Sequence, residues 1–156
     1  MAHRTNVGVD TPQMEAFREL MRVQHELGRV LDQELVEERG LTFSEYGVLL
    51  SLRYAPEGSL PVGALCSAAH MTRSGITRLV DRMEEAGTVK RIADSADRRS
   101  VRAAITARGR DALRKAWPVH RRGIDQHFGA SLSEAEAKTL RDLLRRVMPD
   151  VDDEAE

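Results

Sequence analysis

The chain has 156 residues, with 24 Lys and Arg against 25 Asp and Glu and a net charge of −1, so its length fits one ordinary domain or a small domain with helical arms, and its total charge demands no anionic partner. A single cysteine, Cys66, excludes an intramolecular disulfide framework, and without a CxxC pair or an HExxH box neither a metal nor a cofactor is expected. The opening "MAHRTNVGVD" lacks an apolar h-region and no later run approaches bilayer length, so the expectation is a cytoplasmic protein with no membrane partner.

Charge is spread unevenly. Residues 1–59 carry 6 basic and 10 acidic side chains, residues 60–103 carry 8 and 5, residues 104–127 carry 6 and 2, and residues 128–156 carry 4 and 8. Both ends are acidic and the middle is basic, and only the local field matters to a bound phosphate backbone.

Residues 1–12 read as a loose N-terminal arm, with Pro12 suited to a first helical turn. Phe17, Leu20, Met21, Leu27, Val30, Leu31 and Leu35 then recur near a helical period until Gly40, which predicts one long helix over 13–40. A long helix with a single apolar stripe packs against something extensive, and a second subunit is the economical candidate. "LTFSEYGVLLSLRY" opens with Thr42 and Glu45 as a capping box and buries Val48, Leu49 and Leu52. "LPVGALCSAAHM" predicts a shorter helix over 61–69, with Val62, Leu65, Cys66 and Ala69 on one face. His70 and Met71 form a tight connection. Thr72 caps "TRSGITRLVDRMEEAG", whose buried stripe is Ile76, Leu79, Val80 and Met83 and whose end is Gly87. "TVKRI" and "SVRAAI" are two short strands separated by "DSADRRS". Thr106 caps a helix expected to kink or break at Pro118. Ser133 and Glu136 form a second capping box before Ala137, Leu140, Leu143, Leu144 and Val147, and 149–156 is an acidic tail.

Helix, turn, helix and hairpin over 61–105 make a helix-turn-helix with a wing. The second helix exposes Arg73, Ser74, Thr77, Arg78 and Arg82 opposite its apolar stripe, hydroxyls and guanidiniums suited to base edges and phosphates. Thr72 at its start joins that DNA-binding set, and Gly75 keeps the first turn slim. The hairpin tip explains the two adjacent arginines: Arg98 or Arg99 enters a minor groove, and Asp97 supports the guanidinium rather than touching DNA.

"TRSGITRLVDRMEEAGTVKR" and "DRRSVRAAITARGR" resemble the recognition helix, wing and following helix of the MarR family of winged helix-turn-helix regulators. The resemblance runs over about residues 13–148 and is most specific from Thr72 to Gly109. It implies a mainly α, α+β fold, a helical dimerisation region plus a winged DNA-binding lobe with a two-stranded wing. In that division 13–40 is a dimerisation helix, 41–105 the DNA-binding lobe and 106–148 the dimerisation helices. It also implies a homodimer whose terminal helices intertwine, the family's wing arginine on Arg98 or Arg99 and its supporting aspartate on Asp97. Pro61 departs from the family pattern, standing where a hydroxyl residue usually begins the first helix of the pair.

The function expected is sequence-specific binding of double-stranded DNA at a pseudo-palindromic operator, as a transcriptional repressor released by a small-molecule effector. By resemblance that effector is a small aromatic or phenolic compound held between the dimerisation and DNA-binding regions, near Phe17, His25, Phe43, Tyr46 and Trp117; as core residues these five have an equally simple explanation. The alternatives are a protein-interaction module on the same fold and a constitutive DNA-binding protein without an effector. An enzyme finds no nucleophile–base set, Walker loop or dinucleotide fingerprint to build on. Cys66 reads as a buried thiol on an apolar stripe, and His120 with His127 lacks the carboxylates of a zinc site.

Overall fold

The computed structural model describes residues 11–94 and 101–147. Asp97, Arg98 and Arg99, the tip of the expected wing, lie outside the described residues, as do most of the arm and the acidic tail. Six helices and three short strands follow in the order α1 (Pro12–Arg39), α2 (Phe43–Tyr54), β1 (Ser59–Pro61), α3 (Cys66–Ala69), α4 (Arg73–Glu85), β2 (Val89–Ala93), β3 (Val101–Ile105), α5 (Ala107–His127) and α6 (Glu134–Val147).

Their boundaries follow local chemistry. Thr11 accepts the Met14 amide at the start of α1, and Gly40, at φ 63°, ends it in the left-handed region that a residue without Cβ enters freely. Thr42 and Glu45 complete the capping box of α2, with the Thr42 amide donating to Glu45 Oε2 at 2.9 Å. Thr106 accepts from Gly109 N at 3.0 Å, and Ser133 and Glu136 bond reciprocally ahead of α6.

The first expected helix of the reading head is corrected in part. Residues 61–69 are not one helix: Pro61 is extended (φ −52°, ψ 137°) and closes β1, Val62–Leu65 is a 3₁₀ turn, and only Cys66–Ala69 is α-helical. The apolar spacing still holds, since Leu65 and Ala69 are buried and Val62 and Cys66 pack partly buried against the core. What the spacing misses is a third strand. β1 pairs antiparallel with β3, Ser59 opposite Ala104, and β2 pairs on the other side, Val89 opposite Ile105, giving the order β1-β3-β2. Proline fits there because β1 is an edge strand.

Of the kink or break expected at Pro118, the break does not occur: α5 runs through it to His127. Pro118 and Arg114 are both exposed while Ala116 and Val119 are buried, so the ring and the Arg114 carbonyl that it deprives of an amide stand on the solvent side of the helix, away from the core.

One core joins α2, α3, α4 and the sheet to the first half of α5, through Leu49, Leu52, Leu65, Leu79, Met83 and Leu113 among others. The C-terminal half of α1 packs along α5. A Cβ on Gly123 would stand 2.5 Å from Leu31 Cδ2 and 2.7 Å from Glu34 Oε2, so glycine there sets the interhelical spacing. Arg39 donates to the Lys115 carbonyl at 2.9 Å, Arg122 pairs with Glu38, and His127 Nε2 lies 2.7 Å from Glu34 Oε1. The ends differ. Met14, Phe17, Leu20, Met21 and Val23 in the first half of α1 are exposed, and α6 buries no residue, with Leu143 49% and Val147 70% exposed. Among the described residues no helix is long and apolar enough to cross a membrane.

Candidate nucleic-acid interface

The turn between α3 and α4 is fixed by backbone. His70 adopts φ 50°, ψ 44°, its amide bonding to Ser67 O, and Met71 N bonds to Cys66 O at 3.0 Å. Thr72 then caps α4, accepting from Gly75 N at 3.3 Å and lying 3.3 Å from Ser74 Oγ. Ile76, Leu79, Val80 and Met83 are buried, which turns the opposite side of the helix outward by the 3.6-residue period. Arg73, Ser74, Thr77, Arg78 and Arg82 are all exposed there.

Their commitments differ. Thr77 donates its hydroxyl proton to the Arg73 carbonyl at 3.0 Å and keeps its oxygen lone pairs for an incoming donor. Among the described residues, Arg73, Arg78 and Arg82 have no ionic partner. Three unpaired guanidiniums on one exposed helix face make a site for phosphate oxygens and for the acceptor edge of guanine.

Beside α4 stands the β2–β3 hairpin. Its base is held by Arg102, which donates to Ser59 O at 2.9 Å and Ser59 Oγ at 3.2 Å and reaches Asp94 at 3.7 Å. This ties β3 to β1 and to Asp94, the residue that follows β2. A groove lined by Val62, Gly63, Arg73, Thr77, Arg91 and Val101 runs between helix and hairpin.

The residues expected around an effector divide into two groups. Phe43, Tyr46 and Trp117 gather about His120, with ring centroids 5.8, 4.4 and 6.4 Å from the imidazole. Phe17, 56% exposed, and His25, also exposed, stand on the first half of α1 and have no ring contact with this cluster. Asp32 Oδ1 accepts the Phe43 amide at 2.7 Å, tying α1 to the start of α2 beside the cluster. The Tyr46 hydroxyl and His120 Nδ1 are buried without a hydrogen-bond partner. Burial pulls the His120 pKa below its ordinary value and pushes the Tyr46 phenol up to about 12, so at neutral pH both are uncharged. A second opening of about 610 Å³ lies between α2 and α5, bordered by Arg53, Tyr54, Arg110, Arg114 and Trp117.

Sequence reasoning passed over three residues that organise these places. Arg91 and Arg102 sit on strands and read only as charge within short segments. His120 read only as half of a weak histidine pair, although its spacing from Trp117 puts both on one side of α5.

A helix-turn-helix whose second helix is flanked by an antiparallel hairpin defines a winged helix-turn-helix protein, the class built to present a helix and a wing together to a duplex. The comparisons give the family. A family model described as MarR family matches residues 39–100. The putative transcriptional regulatory protein for the hcr operon of Thauera aromatica is 33% identical over 135 residues, covering 86% of this chain and 73% of that protein. Transcriptional regulator HosA of Escherichia coli O127:H6 is 30% identical over 128 residues, covering 80% and 93%. A MarR family transcriptional regulator from Streptomyces coelicolor, solved in complex with DNA, superposes with a TM-score of 0.79 at 28% identity, over 90% of this chain and 89% of that one. The chain belongs to the MarR family and is a DNA-binding transcriptional regulator.

Proposed function

We propose that this regulator binds a pseudo-palindromic operator as a homodimer and represses transcription until a small aromatic or phenolic effector releases it. The observation that carries the reading is the face of α4: Arg73, Arg78 and Arg82 are exposed and, among the described residues, unpaired while the opposite stripe is buried. With α4 in the major groove, Ser74, Thr77 and the arginines meet base edges and phosphates, and Thr72 sets the helix start that faces the backbone. Of Arg98 and Arg99, which lie between β2 and β3 in the chain, one enters the minor groove while Asp97 holds the guanidinium of the other.

The exposed apolar half of α1 and the unburied α6 support dimerisation through the terminal helices. A two-fold dimer with two α4 helices reads half-sites about one helical turn apart. The cluster of Phe43, Tyr46, Trp117 and His120, with two buried polar atoms that make no hydrogen bond among the described residues, supports an aromatic effector site at the α2–α5 junction.

The test measures affinity for the duplex upstream of the protein's own gene against a scrambled duplex, over a salt series. A specific regulator keeps a preference of about a thousandfold or more near physiological salt. Arg78→Ala should weaken both duplexes and reduce the slope of log affinity against log salt by about 1. Equal affinity of the parent protein for the two duplexes refutes the reading.

A further inference from the structure

The recognition helix carries an unfavourable feature beside its arginines. Asp81 and Glu84, one turn apart on α4, place two carboxylates next to Arg78 and Arg82, on the element proposed to approach phosphate. Arg91 on β2 answers both. Its guanidinium meets Asp81 Oδ1 at 2.7 Å through one terminal nitrogen and Glu84 Oε2 at 2.7 Å through the other. Its backbone amide donates to Glu84 Oε1 at 2.8 Å, and the side chain also reaches the Thr77 carbonyl at 3.5 Å.

Stability alone is a poor explanation for this arrangement. Asp81 and Glu84 are 52% and 41% exposed along their side chains, and ion pairs of that exposure contribute little to folding. Their placement matters more for a polyanion. Two unscreened carboxylates within a Debye length of phosphate oppose binding, and a cation seated between them removes most of that repulsion.

We infer that Arg91 is a positioning residue for DNA recognition, which folds the carboxylates of Asp81 and Glu84 onto the wing strand and neutralises them so that α4 can approach the phosphate backbone. The inference rests on the DNA-binding reading of α4. It assigns Arg91 no contact with DNA: the forked guanidinium is spent on two carboxylates, and the one partner left to it is a backbone carbonyl of the same helix. The bidentate demand also explains arginine at this position, because a lysine ammonium is a point charge that cannot span both carboxylates in one geometry.

The test is a cycle of variants on the full-length protein: the parent, Arg91→Met, the pair Asp81→Asn with Glu84→Gln, and all three together, each titrated with the operator duplex over a salt series. Arg91→Met should lose about tenfold in operator affinity. Neutralising the two carboxylates should recover about tenfold in the Arg91→Met background and change affinity by less than about twofold where Arg91 is intact. Equal gains in both backgrounds overturn the inference, since generic charge removal then accounts for them. Failure of neutralisation to rescue Arg91→Met overturns it as well, pointing to a direct Arg91 contact or a folding defect, which a thermal melt of each variant separates. Unchanged affinity in Arg91→Met also refutes it. An Arg91→Met protein too unstable to titrate leaves the decision to the carboxylate pair alone, where an operator affinity within about twofold of the parent supports the screening role and a larger loss or gain refutes it. Failure of the parent protein to prefer its operator is a different result and refutes the DNA-binding reading itself.

Discussion

Gly109 in the first turn of α5 offers a sharp test of how the reading head is joined to its base. A Cβ at this position would stand 3.0 Å from the Thr88 carbonyl carbon and from Ile105 Cγ1, and closer still to the Thr88 oxygen. Carbon atoms in good contact sit about 3.5–4.0 Å apart, so the two carbon contacts alone require roughly half an ångström to one ångström, and the closer oxygen makes Gly109→Ala force α5 and the Thr88 segment apart by about an ångström or more. Thr88 has little freedom to retreat. Its amide and hydroxyl both bond to Met83 O, at 2.9 and 3.0 Å, and its carbonyl accepts from the Thr106 amide and hydroxyl at 3.1 Å. Alanine gains about 1 kcal/mol over glycine in a helix interior, while overpacking against an unyielding wall costs about 1–3 kcal/mol, occasionally more. With the wall made of backbone, the upper end applies and the net loss is about 2 kcal/mol. At about 2–4 °C per kcal/mol for a chain of this size, Tm should fall by roughly 4–8 °C. Because Thr88 connects α4 to β2, operator affinity should fall by more than the melt alone predicts at a temperature where the variant is fully folded. Thermal denaturation by circular dichroism, paired with duplex titration at 20 °C or so, reads both. A Tm equal to or above the parent's would refute the reasoning, showing that helix propensity outweighs the contact.

Thr72→Ala removes the oxygen that caps α4 at Gly75 N, and should lower stability by about 1 kcal/mol in denaturant melts without changing the slope of the transition. His120 sets the acid limit: burial depresses its folded pKa, so the unfolded chain takes up the proton first, and stability is full above the unfolded value of about 6.5 and declines as pH falls through it toward the folded value. His120→Phe should flatten that decline in melts taken between pH 7 and pH 5; an unchanged profile would assign the acid sensitivity elsewhere.

The capped helices were legible in the sequence because a cap is a local device. Thr42 with Glu45, Thr72, Thr106 and Ser133 with Glu136 each announce a start within four residues, and each makes its bond. The stripe of α4 was legible for a related reason, since four apolar residues at helical spacing fix the outward face that holds Arg73, Arg78 and Arg82. β1 was not, because a three-residue strand has too little length for alternation, and its existence depends on β3 standing beside it. Pro118 does not end the helix because it stands on the exposed side of α5, where the bond that it removes lies away from the core. Arg91 was hidden for the opposite reason from the caps: its partners Asp81 and Glu84 lie ten and seven residues away across a change of secondary structure, and only the register of β2 against α4 brings the three together.

The fourteen residues of α6, none of them buried, have a consequence for how the protein exists at low copy number. A helix of that length has marginal stability on its own in water, so in the proposed dimer the ordering of this segment is bought by subunit association. For that dimer, dilution that separates the subunits should also loosen α6, and pairing should restore its order. Its melting temperature should accordingly climb with protein concentration, so the dose of such a dimer would govern the order of its terminal helix as well as the number of operators it fills.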